Sequence, residues 1–173
     1  MRKALGYLLL IVITFLVQSS LYLILPSQWT TPALQIILIC SVGLMRGQKA
    51  GMWTGLLSGL LYDLFFSSLF GFTAVCFLYI GYLSGALNNI FFDEDIRIPM
   101  AAVGIGTLAY RLICYLVEYV IHLRFFFRTY LTATVLPEVI ASVLVTIPLY
   151  HVYRLIVRRI SAAEREAEQS PWL

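Results

Sequence analysis

The stretch Gly43–Gly71, GLMRGQKAGMWTGLLSGLLYDLFFSSLFG, repeats glycine at every fourth residue and reaches a carboxylate, Asp63, at the next step of four. On an α-helix a step of four residues turns by only about 40°, so such a row winds slowly along one face. Small residues let helix backbones approach closely in lipid, where no hydrophobic force drives helices together. We therefore interpret the stretch as a helix-packing face that ends in one buried carboxylate. The glycines of the row are Gly43, Gly47, Gly51, Gly55 and Gly59.

The composition predicts an all-α integral membrane protein. Hydrophobic residues make up 61% of the 173 residues, charged residues only 12%, and the mean hydropathy is +0.88. Soluble domains carry about 25% charged residues and about half apolar ones. At about 20 residues for each span, six spans fit in the chain, and no soluble catalytic domain fits beside them.

The apolar runs predict one bundle of six transmembrane helices over residues 1–160, followed by a short charged cytoplasmic tail over 161–173. The second run is apolar only over 33–45, which leaves open whether it crosses the membrane fully. Pro137 and Pro148 predict bends in the sixth span. A second G-x-x-x-G pair, Gly81 and Gly85, lies in the fourth. The predicted spans are 5–25, 28–45, 50–66, 70–87, 98–122 and 131–150.

The basic residues predict that both termini are cytoplasmic. With that orientation only Arg124 and Arg128 lie outside, and Arg111 lies within a span. Lys and Arg favour the cytoplasmic side, and basic span ends attract anionic lipid, so we interpret the net charge of +3 as topology and lipid contact and expect no nucleic-acid binding. The basic residues assigned to the cytoplasm are Arg2, Lys3, Arg46, Lys49, Arg97, Arg154, Arg158, Arg159 and Arg165.

Three charged residues fall at one depth in the predicted bundle. At about 1.5 Å for each residue, Asp63 and Arg111 lie roughly 20 Å from the cytoplasmic face. Glu138 enters from the other side and reaches a similar depth in a core of about 30 Å. We expect Arg111 to neutralise Asp63, Glu138 or both. The layer would be either a staple that fixes helix register, or a gate, proton path or ligand site.

Other polar residues in the spans indicate no catalytic or metal chemistry. Ser58 lacks the glycine two positions earlier that an intramembrane serine protease would show, and an aspartyl protease needs a second aspartate in a span. No Walker A or H-E-x-x-H motif is present. Gln18 and Gln35 could hydrogen-bond between helices. Cys40, Cys76 and Cys114 stand singly, so we expect neither a metal site nor a disulfide. Since the catalytic motifs also fail, we expect no enzymatic activity and no cofactor.

With these motifs assembled, the chain resembles the MreD family of rod shape-determining inner-membrane proteins. The most specific part is Gly55-x-x-x-Gly59-x-x-x-Asp63-Leu64 with Gly71 after a short loop. The six-span layout and the short charged C-terminus also fit. The further matching features are FLVQSS at 15–20, Pro32 before the second span and the turn Arg46-Gly47.

The resemblance implies a non-enzymatic scaffold of the bacterial rod-shape complex, or elongasome, in the inner (cytoplasmic) membrane. Such a protein binds an MreC-like partner and, through it, an MreB-like filament, a RodA-like synthase and a penicillin-binding transpeptidase of lateral peptidoglycan synthesis. The family's fold is similar to the substrate-binding subunits of energy-coupling-factor transporters. The alternative is therefore a vitamin-binding transporter subunit, and a third possibility is a lipid-handling accessory that holds a headgroup at Asp63 and Arg111.

Two surfaces are candidates for partner contact. Arg46 and Lys49, with the Asp93–Arg97 loop and the basic end of the last span, are expected to be accessible from the cytoplasm. Phe125, Phe126 and Phe127 form an aromatic outer loop that would meet either the membrane interface or a partner's span. Membrane lipids are expected to surround the bundle, and a homo-oligomer stays open.

Overall fold

The computed structural model describes residues 2–24, 33–66, 70–89, 97–122 and 135–169, and the regular structure in these ranges is all helical. The aromatic loop Phe125–Phe127, Arg124 and Arg128, and the acidic residues Asp93 to Asp95 lie outside the described residues. The helices are α1 (Arg2–Ile24), α2 (Leu34–Arg46), α3 (Gln48–Phe66), α4 (Phe72–Ala86), α5 (Arg97–His122) and α6 (Leu136–Gln169), with a 3-10 turn over Leu87–Asn89.

Helix α2 is the centre of the fold. Every residue from Leu34 to Gly43 is buried, and the helix packs against the five others. Its first turn is tied to α6, because the Ala33 backbone N–H donates to Ser142 Oγ at 2.9 Å. The segment with the weakest sequence signal for a full span is therefore the one that the bundle surrounds. With 13 residues it is short, and protein rather than lipid covers its sides.

The outer surface of the bundle is apolar. Large hydrophobic side chains such as Leu9, Phe65, Ile105 and Leu144 are each more than half exposed. Two helices contain stretches long and apolar enough to cross a membrane, Ile98–Val117 of α5 and Leu136–Val157 of α6, and shorter apolar stretches occur in α1, α2 and α4. Helices that expose apolar side chains outward fit an all-α membrane protein.

The last helix differs from its predicted boundaries. The sequence predicts a span that ends at residue 150, whereas α6 continues through Pro148 as one helix to Gln169. Pro137 lies in the first turn, where a missing backbone N–H leaves no hydrogen bond unmade. Pro148 removes one such bond inside the helix, but the residues after it are mostly strong helix formers, including the run AAEREAE at 162–168. The helix therefore continues past Pro148.

Candidate functional site: a glycine seam and a buried polar layer

The glycines of α3 lie directly against the backbone of α4. A Cβ added at Gly51 would overlap the carbonyl oxygen of Gly81, and one at Gly55 would overlap that of Phe77. At Gly59 the added carbon would meet the Cα of Ala74. All three approaches are closer than the 3.0 Å that Cβ atoms essentially never breach, and backbone atoms cannot move aside alone. We call this contact the glycine seam.

The second G-x-x-x-G pair, on α4, completes the seam from the other side. A Cβ at Gly81 would overlap the carbonyl of Gly51, and one at Gly85 would overlap the Cα of Gln48 at the start of α3. Gly43 of α2 faces the Ser84 hydroxyl on α4 in the same way. The two glycine motifs therefore pack on each other, and the close approach spans most of the length of α3.

Gly47 meets the seam only through its backbone, which lies against Gly85, and its own missing side chain faces open space, unlike those of the other glycines in the row. It lies between α2 and α3 with φ 84°, and an added Cβ would meet no atom within 4 Å. Its N–H donates to the Gly43 carbonyl at 2.8 Å and closes the last turn of α2. Gly47 is therefore a helix-terminating glycine, because only glycine adopts a positive φ without steric cost.

Asp63 caps the start of α4 from the facing helix. Its Oδ2 accepts hydrogen bonds from the backbone N–H groups of Gly71 and Ala74, each at 3.0 Å, and its Oδ1 accepts one from Thr73 at 3.3 Å. The carboxylate is almost fully buried. The first N–H groups of a helix have no partner inside it, and the helix dipole favours negative charge there. The α4 terminus thus satisfies the expensive carboxylate at the end of the glycine row.

Arg111 and Glu138 form an ion pair between α5 and α6. The Nε of Arg111 lies 2.5 Å from Oε2 of Glu138, and the Glu138 side chain is buried while that of Arg111 is 24% exposed. Glu138 also lies in the first turn of α6, where the helix dipole favours an anion. Asp63 and Glu138 were the predicted partners of Arg111, and the structure places Glu138 in contact with it. The carboxylate of Asp63 is engaged instead by α4.

A small polar cavity lies beside this ion pair. Its polar lining comes from α1, α2, α3, α5 and α6, and its volume is about 20 Å³. The sequence predicts hydrogen bonds between helices at Gln18 and Gln35, and Gln18 Oε1 does accept the Gln35 backbone N–H at 3.0 Å. Tyr62 and Tyr110 were not predicted, and the one available signal for them was their position next to Asp63 and Arg111. The polar lining residues are Gln18, Gln35, Tyr62, Tyr110, Arg111 and Glu138.

Two of the predicted partner contacts, Arg46 and Lys49, lie among the described residues, at the basic turn between α2 and α3. Arg46 ends α2 and Lys49 lies in the first turn of α3, and both side chains are exposed. The Arg46 guanidinium lies 5.7 Å from the ring centroid of Tyr7 on α1, a cation–π contact. Over the described residues, no three His, Cys, Asp or Glu side chains come together in a group that could hold a metal ion.

A helical bundle with an apolar exterior, a glycine seam and carboxylates satisfied inside it is an all-α membrane protein. The chain matches the family model of the rod shape-determining protein MreD over residues 1–160, and it belongs to that family. Its members are shape-determining structural proteins in the membrane of the cell envelope and are not known as enzymes. No curated protein and no solved structure matches the chain, so the expected likeness to transporter subunits gains no support.

Proposed function

We propose that the protein is a non-enzymatic scaffold of the rod-shape complex that crosses the bacterial inner membrane six times with both termini in the cytoplasm. In this role it binds an MreC-like partner and, through it, helps to organise lateral peptidoglycan synthesis by the filament, synthase and transpeptidase. The observation that carries the proposal is the family match over residues 1–160. The packed bundle supports it, because a scaffold needs a fixed arrangement of helices rather than a reactive site.

The glycine seam and the buried charges have structural roles in this proposal. The seam holds α3 against α4, and Asp63 satisfies the N–H groups at the α4 start. The Arg111–Glu138 pair fixes the register of α5 against α6. A charge pair at membrane depth is costly unless its members meet each other or water, so breaking one partner is expected to disrupt the bundle. These roles favour a staple over a gate or proton path.

The described residues offer little support for the transporter alternative. Pockets for small organic ligands have volumes of about 300–1,000 Å³ with a few convergent polar groups. The polar cavity measures about 20 Å³, far too little for a vitamin. The larger groove between α1 and α6, about 500 Å³, is lined by apolar side chains, and its hydroxyls Thr14 and Tyr153 already share a hydrogen bond at 3.1 Å. The third possibility, a headgroup held by Asp63 and Arg111, has less support because both charges have partners within the bundle.

Copurification from native membranes tests the scaffold proposal. A tagged chain, extracted in mild detergent, is expected to bring down an MreC-like protein. A photo-crosslinking residue at Ile13, in the α1–α6 groove, and one at Ile105, in the groove between α5 and α6, would show which side the partner's span contacts. A vitamin-like small molecule bound to the purified chain, with no MreC-like protein in either experiment, would contradict the proposal.

The basic turn and the aromatic loop are proposed as secondary contacts. Arg46 and Lys49 are exposed at one end of the bundle, where a cytoplasmic partner or anionic headgroups would meet them. Replacing both by glutamate is expected to reduce recovery of cytoplasmic partners while leaving the amount of membrane-inserted protein unchanged. Phe125, Phe126 and Phe127 stay a predicted contact on the opposite side. Equal recovery of every partner with the glutamate variant would remove the basic turn from the proposal.

A further inference from the structure

The cavity beside the ion pair contains a buried amide that no atom of the described residues satisfies. Gln35 is 1% exposed, and neither its Oε1 nor its Nε2 has a hydrogen-bond partner among the described residues. Its backbone N–H is already bonded to Gln18. Buried amides nearly always find a partner, because leaving both polar atoms unpaired in an apolar interior is strongly unfavourable. The Gln35 side chain lines the cavity, so a small polar ligand there would lie beside the amide.

The size and lining of the cavity define the ligand. A volume of about 20 Å³ exceeds the roughly 10–15 Å³ that one water molecule needs, and is too small for a phosphate, a sugar or a headgroup. A buried water also needs two to four polar partners. Gln35 and Glu138, which line the cavity, carry an amide and a carboxylate, enough polar atoms for one water.

Arg111 provides a reason to expect water on this side of the bundle. A quarter of its side chain is exposed although it lies in the long apolar helix α5. Ionised groups at membrane depth face protein or a water-filled space, since contact with lipid tails is too costly. The exposed part of Arg111 therefore favours water, rather than lipid tails, next to the cavity.

We infer that the cavity binds one water molecule, which accepts a hydrogen bond from the Gln35 amide and donates one to the Glu138 carboxylate. Glu138 has acceptor capacity beyond its contact with Arg111, so the water does not compete with the ion pair. The water links α2, the central helix, to the pair that joins α5 and α6. This site is independent of the scaffold proposal, because it depends only on the interior of the bundle.

Magnetisation transfer from water to the side-chain amide of Gln35 tests the site directly. The protein, labelled with ¹⁵N-glutamine and held in a deuterated detergent, is expected to show a water cross-peak on an amide signal that disappears in Gln35→Met. Ala33→Val leaves Gln35 in place but fills the cavity, since Ala33 lines it, and is expected to abolish the cross-peak. Gln48, near the bundle surface, serves as the positive control. A Gln35 amide with no water cross-peak, beside a normal Gln48 signal, would overturn the inference.

Thermal unfolding gives a second and independent reading. If the amide is satisfied by water, Gln35→Met removes hydrogen bonds and is expected to lower the Tm by about 2–4 °C more than Ile37→Met, which changes only packing at an equally buried position. If the cavity is dry, methionine replaces two unpaired polar atoms by apolar ones, and the Tm stays level or rises. A Tm equal to or above that of Ile37→Met would overturn the inference.

Discussion

The glycine seam predicts that one added methyl group, in Gly55→Ala, destabilises the protein. The Cβ of an alanine there would overlap the carbonyl of Phe77, so α3 and α4 would have to separate. Overpacking costs about 1–3 kcal/mol, and an overlap with backbone atoms belongs at the upper end, about 2–3 kcal/mol, because those atoms cannot move aside alone. Alanine recovers about 1 kcal/mol relative to glycine inside a helix. We expect a net loss of about 1–2 kcal/mol, which in a chain of this length lowers the Tm by about 2–8 °C.

Gly104 of α5 is the matched control for this prediction. Its added Cβ would meet only the Cγ2 of Val143, at 3.3 Å, and that methyl belongs to a side chain that can shift. Alanine at this position is therefore expected to keep most of its helix-propensity gain of about 1 kcal/mol and to leave the Tm level or raised. The two substitutions are chemically identical, so they separate seam packing from any general effect of alanine in a membrane helix.

The assay is thermal unfolding of the purified protein in detergent. The measured quantity is the fraction of protein that remains monodisperse after heating. Gly55→Ala should unfold at a lower temperature than the parent chain, and Gly104→Ala should not. If both variants lose the same stability, the close contact with Phe77 is not what makes glycine necessary at position 55. If Gly55→Ala is as stable as the parent, the seam contributes no close packing and the reasoning fails.

Three further predictions concern the buried charges and the topology. Asp63→Ala is expected to lose about 1–2 kcal/mol, the usual value of a helix cap, and Asp63→Asn less, because one acceptor oxygen remains; equal unfolding temperatures for all three chains would contradict the cap. Glu138→Gln removes the carboxylate that faces the Arg111 charge and is expected to cost about 3–5 kcal/mol, whereas Arg111→Met with Glu138→Met should recover much of it; a double variant no more stable than the single one would argue against the pairing. In a chain whose native cysteines are replaced, Lys49→Cys should react with an impermeant thiol reagent only from the cytoplasm and Phe126→Cys only from outside, and labelling of both from one side would refute the six-span topology.

The seam was partly predictable because helix geometry alone decides which residues share a face. The spacing of Gly51, Gly55 and Gly59 gave the packing face of α3, and a second motif in the fourth run gave a possible partner. Spacing could not separate Gly47 from the row, because a glycine that ends a helix can keep the same four-residue spacing as the glycines inside one. What distinguishes them is the positive φ of Gly47, which depends on where the chain turns.

The buried charges were predictable in depth but only partly in partner. Counting residues along each span brought Arg111 and Glu138 to one level, and the structure places them in contact. The same count placed Asp63 at the same depth as Arg111, so it could not decide which carboxylate Arg111 contacts. The bonds of Asp63 to the start of α4 depend on the turn at Phe70 and Gly71, and no hydropathy signal reports such a turn. The centrality of α2 was likewise invisible, because burial on all sides is a property of its neighbours.

Both carboxylates that are buried among the described residues are close to the start of a helix. Asp63 accepts N–H groups from the beginning of α4, and Glu138 lies in the first turn of α6. The positive end of a helix dipole offsets part of the cost of an anion at membrane depth, so each charge can be buried without a moving proton or a bound substrate. Helix ends that satisfy buried charges fix the position of those ends relative to the facing helix. This arrangement suits a protein whose proposed task is to hold a constant shape for its partners.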